Sequence, residues 1–257
     1  MKVQVLDTNN NPVEEVEMPK VFETPYRPDV IKRAVIAQQS HGFQPQGRDP
    51  MAGKRTTAES KGTGLGIARV PRIKTGMRAA FGVSFVGGHQ AFPPTAEKRI
   101  RKEINNKERR LAIRSGIAAT AGRDIVAGHG HVLDYVGQLP LVVDDEIQSL
   151  EKTEEVRKLF QNLGVWPDIR RANRKKIRAG RGKTRGRKRK VGKGPLIVVA
   201  YDLGIGRASA NLPGVDAVGV SNLNAELLAP GAHPGRLVVW SRSAFTSLDE
   251  VWGGGEK

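Results

Sequence analysis

The chain has 257 residues, 38% of them hydrophobic, with 43 Lys or Arg against 26 Asp or Glu, a formal net charge of +17 and no cysteine. That length accommodates one globular domain with additions or two small domains, and the missing thiols exclude disulfides and thiolate metal sites and fit a reducing cytosol. No run approaches the roughly 18 apolar residues of a membrane span, and residues 1–7 lack the apolar core of a signal peptide, so a soluble, cytoplasmic protein is expected.

In chain order, Pro28 and Asp29 open a helix carried by Val30, Ile31, Ala34 and Val35. Residues 41–98 then break the pattern, with 10 Gly and 5 Pro in 58 positions, nine Lys or Arg against three acids, and no sustained apolar periodicity. Connections in compact domains run to about 4–6 residues, so a stretch of this length reads as an extended functional loop, with a disordered insertion as the alternative. Phe43, Phe81, Phe85, Phe92, His41 and His89 are candidates to stack or wedge among nucleotides. Arg48, Lys54, Arg55, Arg69, Arg72, Lys74 and Arg78 are candidates to hold a sugar-phosphate backbone. Residues 97–121 suit a long amphipathic helix, so the loop leaves one helix and returns into another.

Residues 140–144, 195–200 and 236–240 are short β-branched runs of the kind buried on both faces of a parallel sheet. Thr153 reads as the N-cap of a helix with Glu154 and Glu155 in its first turn, with Val156, Leu159, Phe160 and Leu163 on one face and with Gly164 as its stop. A last helix, capped by Ser241 or Ser243, carries Ala244, Phe245, Leu248, Val251 and Trp252 at three- and four-residue spacing. The expected fold class is α/β: a mostly parallel sheet flanked by helices. The globular domain comprises residues 1–40 and 99–257, and the extended basic loop 41–98 is inserted into it.

Residues 170–193 hold 14 Lys or Arg and no Asp, Glu or aromatic residue; taking those charges from +17 leaves +3. With 41–98 removed as well, the remaining 175 residues carry −3, a near-neutral globule with two basic appendages. Charge this dense repels itself in water and is expected to order only against a polyanion, which points to RNA. Lys176, Arg178, Arg181, Lys183, Arg185, Arg187, Lys188, Arg189 and Lys190 would hold phosphates, and the interleaved Gly180, Gly182 and Gly186 would let the backbone approach closely. Without aromatics this segment should read phosphate and shape rather than bases. It also lacks the apolar face that an interfacial membrane helix submerges.

Three other patterns invite a chemical reading. Gly204-Ile-Gly-Arg-Ala-Ser209 resembles a dinucleotide-binding turn, with Glu226 about 20 residues on, but Ser replaces its third glycine, and an ordinary strand-to-helix turn is the expectation. Asp144 and Asp145 end a strand where paired carboxylates can hold Mg²⁺, against the plainer reading of a solvated turn. His129 and His131 are two imidazoles without a cysteine to complete a zinc site, and a polar turn before a strand is expected there. No nucleophile elbow or phosphate loop is present, so the rival class, an RNA-processing or RNA-modifying enzyme, would have to use Asp144, Asp145 or the Gly204 turn. A free messenger-RNA regulator is a weaker third reading.

Several blocks together resemble the protein-four family of the large ribosomal subunit, in its archaeal and eukaryotic branch: Gln46-Gly47-Arg48-Asp49-Pro50 with Ala52-Gly53-Lys54-Arg55, Pro93-Pro94, Pro140 to Asp145, Lys176 to Arg187, and Ala229 to Leu237. Phe92 and Thr95 depart from that pattern, which has His and Lys there. The resemblance implies a globular α/β domain at the subunit surface and a loop threading through rRNA, with no catalysis, cofactor or metal. Gly47, Arg48, Gly53, Lys54 and Arg55 would hold rRNA along the stem of that loop, and Gly64, Leu65, Gly66, Ile67 and Arg69 would line the peptide exit tunnel at its tip. Residues 176–190 would bind rRNA beside the globule. The implied partners are large-subunit rRNA and neighbouring ribosomal proteins, with no membrane and no isolated homo-oligomer.

Overall fold

A computed structural model describes residues 1–253. The chain divides into two compact units, one formed by Met1–Gln39 with the chain from Glu103 onward, the other by Ser40–Lys102. The first unit contains strands β1 (Lys2–Leu6), β2 (Pro12–Glu17), β3 (Leu141–Val143), β4 (Lys176–Ile177), β5 (Arg189–Lys190), β6 (Leu196–Val199), β7 (Asp216–Gly219) and β8 (Val238–Ser241). Its helices are α1 (Pro28–Ser40, its last residue across the boundary), α2 (Asn106–Ala119), α3 (Arg123–His129), α4 (Thr153–Asn162), α5 (Trp166–Ala172), α6 (Ile205–Ser209), α7 (Ala225–Leu228), α8 (Arg242–Thr246) and α9 (Leu248–Val251).

Six strands form one sheet in the order β2-β1-β3-β8-β6-β7. Only the β1–β2 hairpin is antiparallel; the β1–β3, β3–β8, β6–β8 and β6–β7 pairs are parallel. The apolar runs foreseen as strands alternate between two cores, as the two-residue strand period requires. Val142, Leu196, Val198, Val238 and Trp240 join α1, α2, α7 and α8 on one face. Leu141, Val143, Ile197, Val199 and Val239 join α4, α5 and α6 on the other. Burial on both faces explains why these runs are continuously hydrophobic.

Several local expectations need correction. The long helix over 97–121 is confined to Asn106–Ala119, because nothing in residues 97–105 packs as a helix and the chain there runs extended into Asn105. Lys152, not Thr153, is the N-cap of α4, and Glu155 closes a capping box back onto its backbone N–H. The last helix is two pieces: the Ser241 hydroxyl caps α8 by accepting from Ala244 N–H at 3.3 Å, and the chain breaks at Ser247 before α9. The basic run also has structure of its own, as described below.

Gly164 ends α4 with φ +70°, and a Cβ placed there would lie 2.2 Å from the Tyr135 carbonyl oxygen. Gly164→Ala therefore meets both a left-handed backbone and a backbone atom that cannot yield. It should lower the urea midpoint of the whole chain, with a loss of about 1–3 kcal/mol.

Candidate nucleic-acid interface

The two halves of the basic run behave differently. At its root two cations, Arg171 and Lys193, are consumed by the globule. Arg171 on α5 donates to both oxygens of the fully buried Asp168, at 2.8 and 3.4 Å, and to the Lys193 carbonyl at 2.6 Å. Lys193 pairs with Asp216 at 3.1 Å. Between them, β4 and β5 form a small antiparallel ribbon in which Lys176 faces Lys190 and Ile177 faces Arg189. Arg178 N–H donates to the Lys188 carbonyl at 2.9 Å and its Nε to the Arg187 carbonyl at 3.0 Å, while a 3₁₀ turn over Arg181–Lys183 rounds the end. The segment thus has a hairpin form drawn by backbone bonds, which composition alone did not reveal.

They do not neutralise it. Lys176, Arg181, Lys183, Arg185, Arg187, Lys188, Arg189 and Lys190 are all exposed, and Arg178, committed to the hairpin backbone, is half-buried. Among the described residues no Asp or Glu lies within ion-pairing distance of any Lys or Arg from 174 to 190, whereas the globule pairs Arg171, Lys193, Arg236 and Arg242. Like charges directly opposite on a ladder are destabilising, so the hairpin stores repulsion that a polyanion relieves.

In the second unit, residues 40–102, the stem closes where Arg48 N–H donates to the Pro94 carbonyl at 3.1 Å, with Gly47 packed against Ala96. Asp49 then organises the next turn by accepting from Met51 N–H at 3.0 Å and from both terminal nitrogens of Arg55; that second contact holds its carboxyl below the usual range. Gly53, at φ +79°, lies where a Cβ would come within 2.5 Å of the Gly88 and His89 backbone, so its place in the stem is steric. Further out, Glu59 and Arg72 exchange two backbone hydrogen bonds of 3.1 and 3.0 Å, and Lys74 pairs with Glu59 at 3.4 Å. The Ser60 hydroxyl donates to the Arg69 carbonyl at 2.9 Å, closing a bend that leaves Gly64, Leu65 and Gly66 exposed and Ile67 half-buried.

The basic candidates of this unit divide accordingly. Arg48 donates to Gln90 at 3.0 Å, and Arg55, Arg72 and Lys74 make internal contacts. Lys54, Arg69 and Arg78 project exposed side chains. Of the aromatic candidates, Phe43 and Phe92 are exposed, Phe92 at 92%, while Phe81 lies against His89 with ring centroids 5.4 Å apart.

Residues 16–251 match the model of the family described as the ribosomal protein L4/L1 family. The chain belongs to the ribosomal protein L4/L1 family. It is 50% identical over 252 residues to the large ribosomal subunit protein uL4 of Methanosphaera stadtmanae, covering 98% of this chain and 97% of the relative. Identity to the uL4 of Methanothrix thermoacetophila is 50% over 251 residues, with 97% and 99% covered. For the uL4 of Saccharolobus islandicus it is 45% over 249 residues, with 96% and 93% covered. This is a family of structural ribosomal proteins and not of enzymes.

Asp145, the Gly204 turn and His131 of this L4/L1-family chain have structural employment. Asp145 Oδ1 accepts from Ser243 N–H at 2.9 Å, from its hydroxyl at 2.6 Å and from Gln148 at 2.7 Å. Gln148 also donates to Ser243 and accepts from Tyr201 N–H, so its amide spans the carboxyl ends of β3, β8 and β6, where open α/β sheets hold their ligands. At the Gly204 turn, Asp202 accepts from the N–H groups of Gly204 and Gly206 at 3.1 and 3.0 Å, the donors a phosphate would need. His129 and His131 are stacked at 5.1 Å, and His131 is no surface turn: its fully buried ring meets Asp168 at 2.9 Å. Among the described residues no group of three or more His, Cys, Asp or Glu is placed to share a metal, and no helix is long and apolar enough to cross a membrane.

The groups missed from sequence are Asp168, Asp216 and Arg236. Arg236, fully buried, donates to Asp216 at 2.6 Å and to the Gly194, Leu227 and Gly214 carbonyls at 2.8, 3.1 and 3.1 Å. Burial acts to raise the Asp168 carboxyl, but His131, Arg171 and Val132 N–H together hold it below its ordinary value of 3.8. A depressed carboxyl contributes stability above the unfolded value that is lost as pH falls through the folded one. Asp168→Asn should thus cost about 1–3 kcal/mol near neutrality, and the gap between variant and parent in denaturant midpoint should narrow as pH falls below the ordinary carboxyl value of 3.8. An unchanged gap across that range would contradict this assignment.

Proposed function

We propose that this chain is a structural constituent of the large ribosomal subunit that binds rRNA through two cationic extensions and has no turnover of its own. The relatives named above are large-subunit proteins, and near-complete coverage on both sides supports the same membership here. The observation that carries the RNA reading is the hairpin, a dense cluster of exposed Lys and Arg that among the described residues has no carboxylate partner, whereas the cations at its root, Arg171, Lys193 and Arg236, are paired. Phosphates would replace the missing counter-charge, with Arg gripping oxygens in pairs and counterion release driving association.

On this reading, residues 1–40 and 99–257 form the globular body and 41–98 the loop that enters rRNA. Lys54, Arg69 and Arg78 would meet phosphates directly. Arg48, Arg55, Arg72 and Lys74 would shape the loop while offering their remaining donors, and Gly47 and Gly53 would keep the stem narrow. The exposed bend of Gly64, Leu65, Gly66, Ile67 and Arg69 would line the peptide exit tunnel. A loop already closed by its own hydrogen bonds lowers the ordering cost of binding, which suits a protein that joins rRNA early in subunit assembly beside other ribosomal proteins in the cytoplasm.

The test is sedimentation of native extract at rising salt, followed by titration of the purified chain with large-subunit rRNA. The chain should co-migrate with the large subunit, and log K should fall linearly with log salt. The triple substitution Arg181→Gln, Lys183→Gln and Arg185→Gln should flatten that slope by about 2 to 3, since each phosphate contact contributes roughly 0.7–0.9. A salt-independent affinity would sink the proposal.

A further inference from the structure

An open cleft of 1110 Å³ lies in the first unit where the basic hairpin joins the globule. It exceeds the roughly 300–1,000 Å³ typical of enclosed small-molecule sites. One wall is the hairpin root, Lys190 to Lys193; another is the turn containing Pro230, His233 and Pro234; Tyr26 and His129 contribute rings. Its charged lining is Arg171, Lys190, Lys193 and Arg236 against Asp216 and Glu226. Asp216 is already engaged by Arg236 and Lys193, and Glu226 accepts from Gln39 at 3.1 Å on the exposed surface. The balance is cationic, with Lys190 exposed and, among the described residues, without a carboxylate partner.

The cleft supplies what the hairpin lacks. From Arg170 to Lys193 there is no aromatic residue, yet Tyr26 is 45% exposed beside the cleft and His233 is exposed across it. His129 is half-buried, backed by the parallel ring of His131, and its imidazole is held below the ordinary range chiefly by burial and then by His131, Arg171 and His233. It therefore offers a neutral planar surface rather than a charge. Rings beside cations at the end of a phosphate-gripping ribbon make a stacking platform for a single-stranded nucleotide.

We propose that this cleft is a nucleotide subsite: one unstacked nucleotide of the RNA held by the hairpin enters it, its base among Tyr26, His129 and His233 and its phosphate toward Lys190. The inference rests on the RNA reading above and adds base contact to what the hairpin alone would make a contact with phosphate only.

Two measurements on the full chain test it, with purified archaeal large-subunit rRNA as the probe. Ultraviolet cross-linking and peptide mass spectrometry of the unmodified chain should give nucleotide adducts on Tyr26, His129 or His233 as well as on the hairpin. The double variant Tyr26→Ala, His233→Ala should bind about 5- to 100-fold more weakly, the range expected for loss of base stacking, with an unchanged salt slope because no fixed charge is removed. Salt-dependent binding by the parent with neither adducts in the cleft nor an affinity loss would overturn the subsite alone. Failure of the parent to bind would overturn this and the RNA reading together. Saturable capture of free AMP in the cleft, with no RNA adduct there, would overturn it in favour of a site for free nucleotides.

Discussion

At the root of the basic hairpin, Asp168 and Asp216 neutralise the last cations that the globule can accommodate. Asp168 binds His131 and Arg171, and Asp216 binds Arg236 and Lys193. Beyond that line the chain carries ten exposed Lys or Arg that, among the described residues, have no anionic partner. Folding must therefore hold positive charge away from the sheet and fix the direction in which it projects. The buried Arg236 does part of this by tying the β6 entrance, the approach to β7 and the start of β8 to one guanidinium. Removing either partner from such a set is costly, because the remaining buried group is left without compensation.

The two extensions meet the same electrostatic problem differently. The hairpin leaves its cations unopposed, so its free energy depends strongly on what surrounds it. The 40–102 unit holds some of its charge internally, with Arg55 on Asp49 and Lys74 on Glu59, and spends backbone hydrogen bonds on shape. An extended segment built in this way presents a defined bend instead of a fluctuating coil, and less ordering remains for the partner to supply. These exposed ion pairs are weak in water, so Arg55 and Lys74 can be shared with a stronger anion at little cost.

The central strands were legible because burial on both faces demands unbroken runs such as Leu196–Val199, and α4 was legible because its apolar residues repeat at helical spacing ahead of a glycine that takes positive φ. β1, β2 and β7 were not: β2, at a sheet edge, has only Val13 and Val16 among three Glu and no regular alternation, and β7 is only half-buried, so neither has a distinctive apolar signature. Ile100 and Ile104 imitate helical spacing in residues that are not helical, which extended the reading of α2 too far toward its N-terminus. Charge counting found the hairpin cations but was blind to the ribbon, since its backbone bonds leave no trace in composition. Asp168, Asp216 and Arg236 looked ordinary because their charged partners lie 20 or more residues away, apart from the Arg171 contact of Asp168.

The most direct measurement is the structure of this chain within its native large subunit, determined by cryo-electron microscopy. The account predicts that the side chains from Arg181 to Lys190 lie within about 3.5 Å of rRNA phosphate oxygens. It also predicts that the root pairs Asp168–Arg171 and Asp216–Arg236 are retained as they are here. A hairpin standing free in solvent, or seated on protein carboxylates in place of RNA, would contradict it.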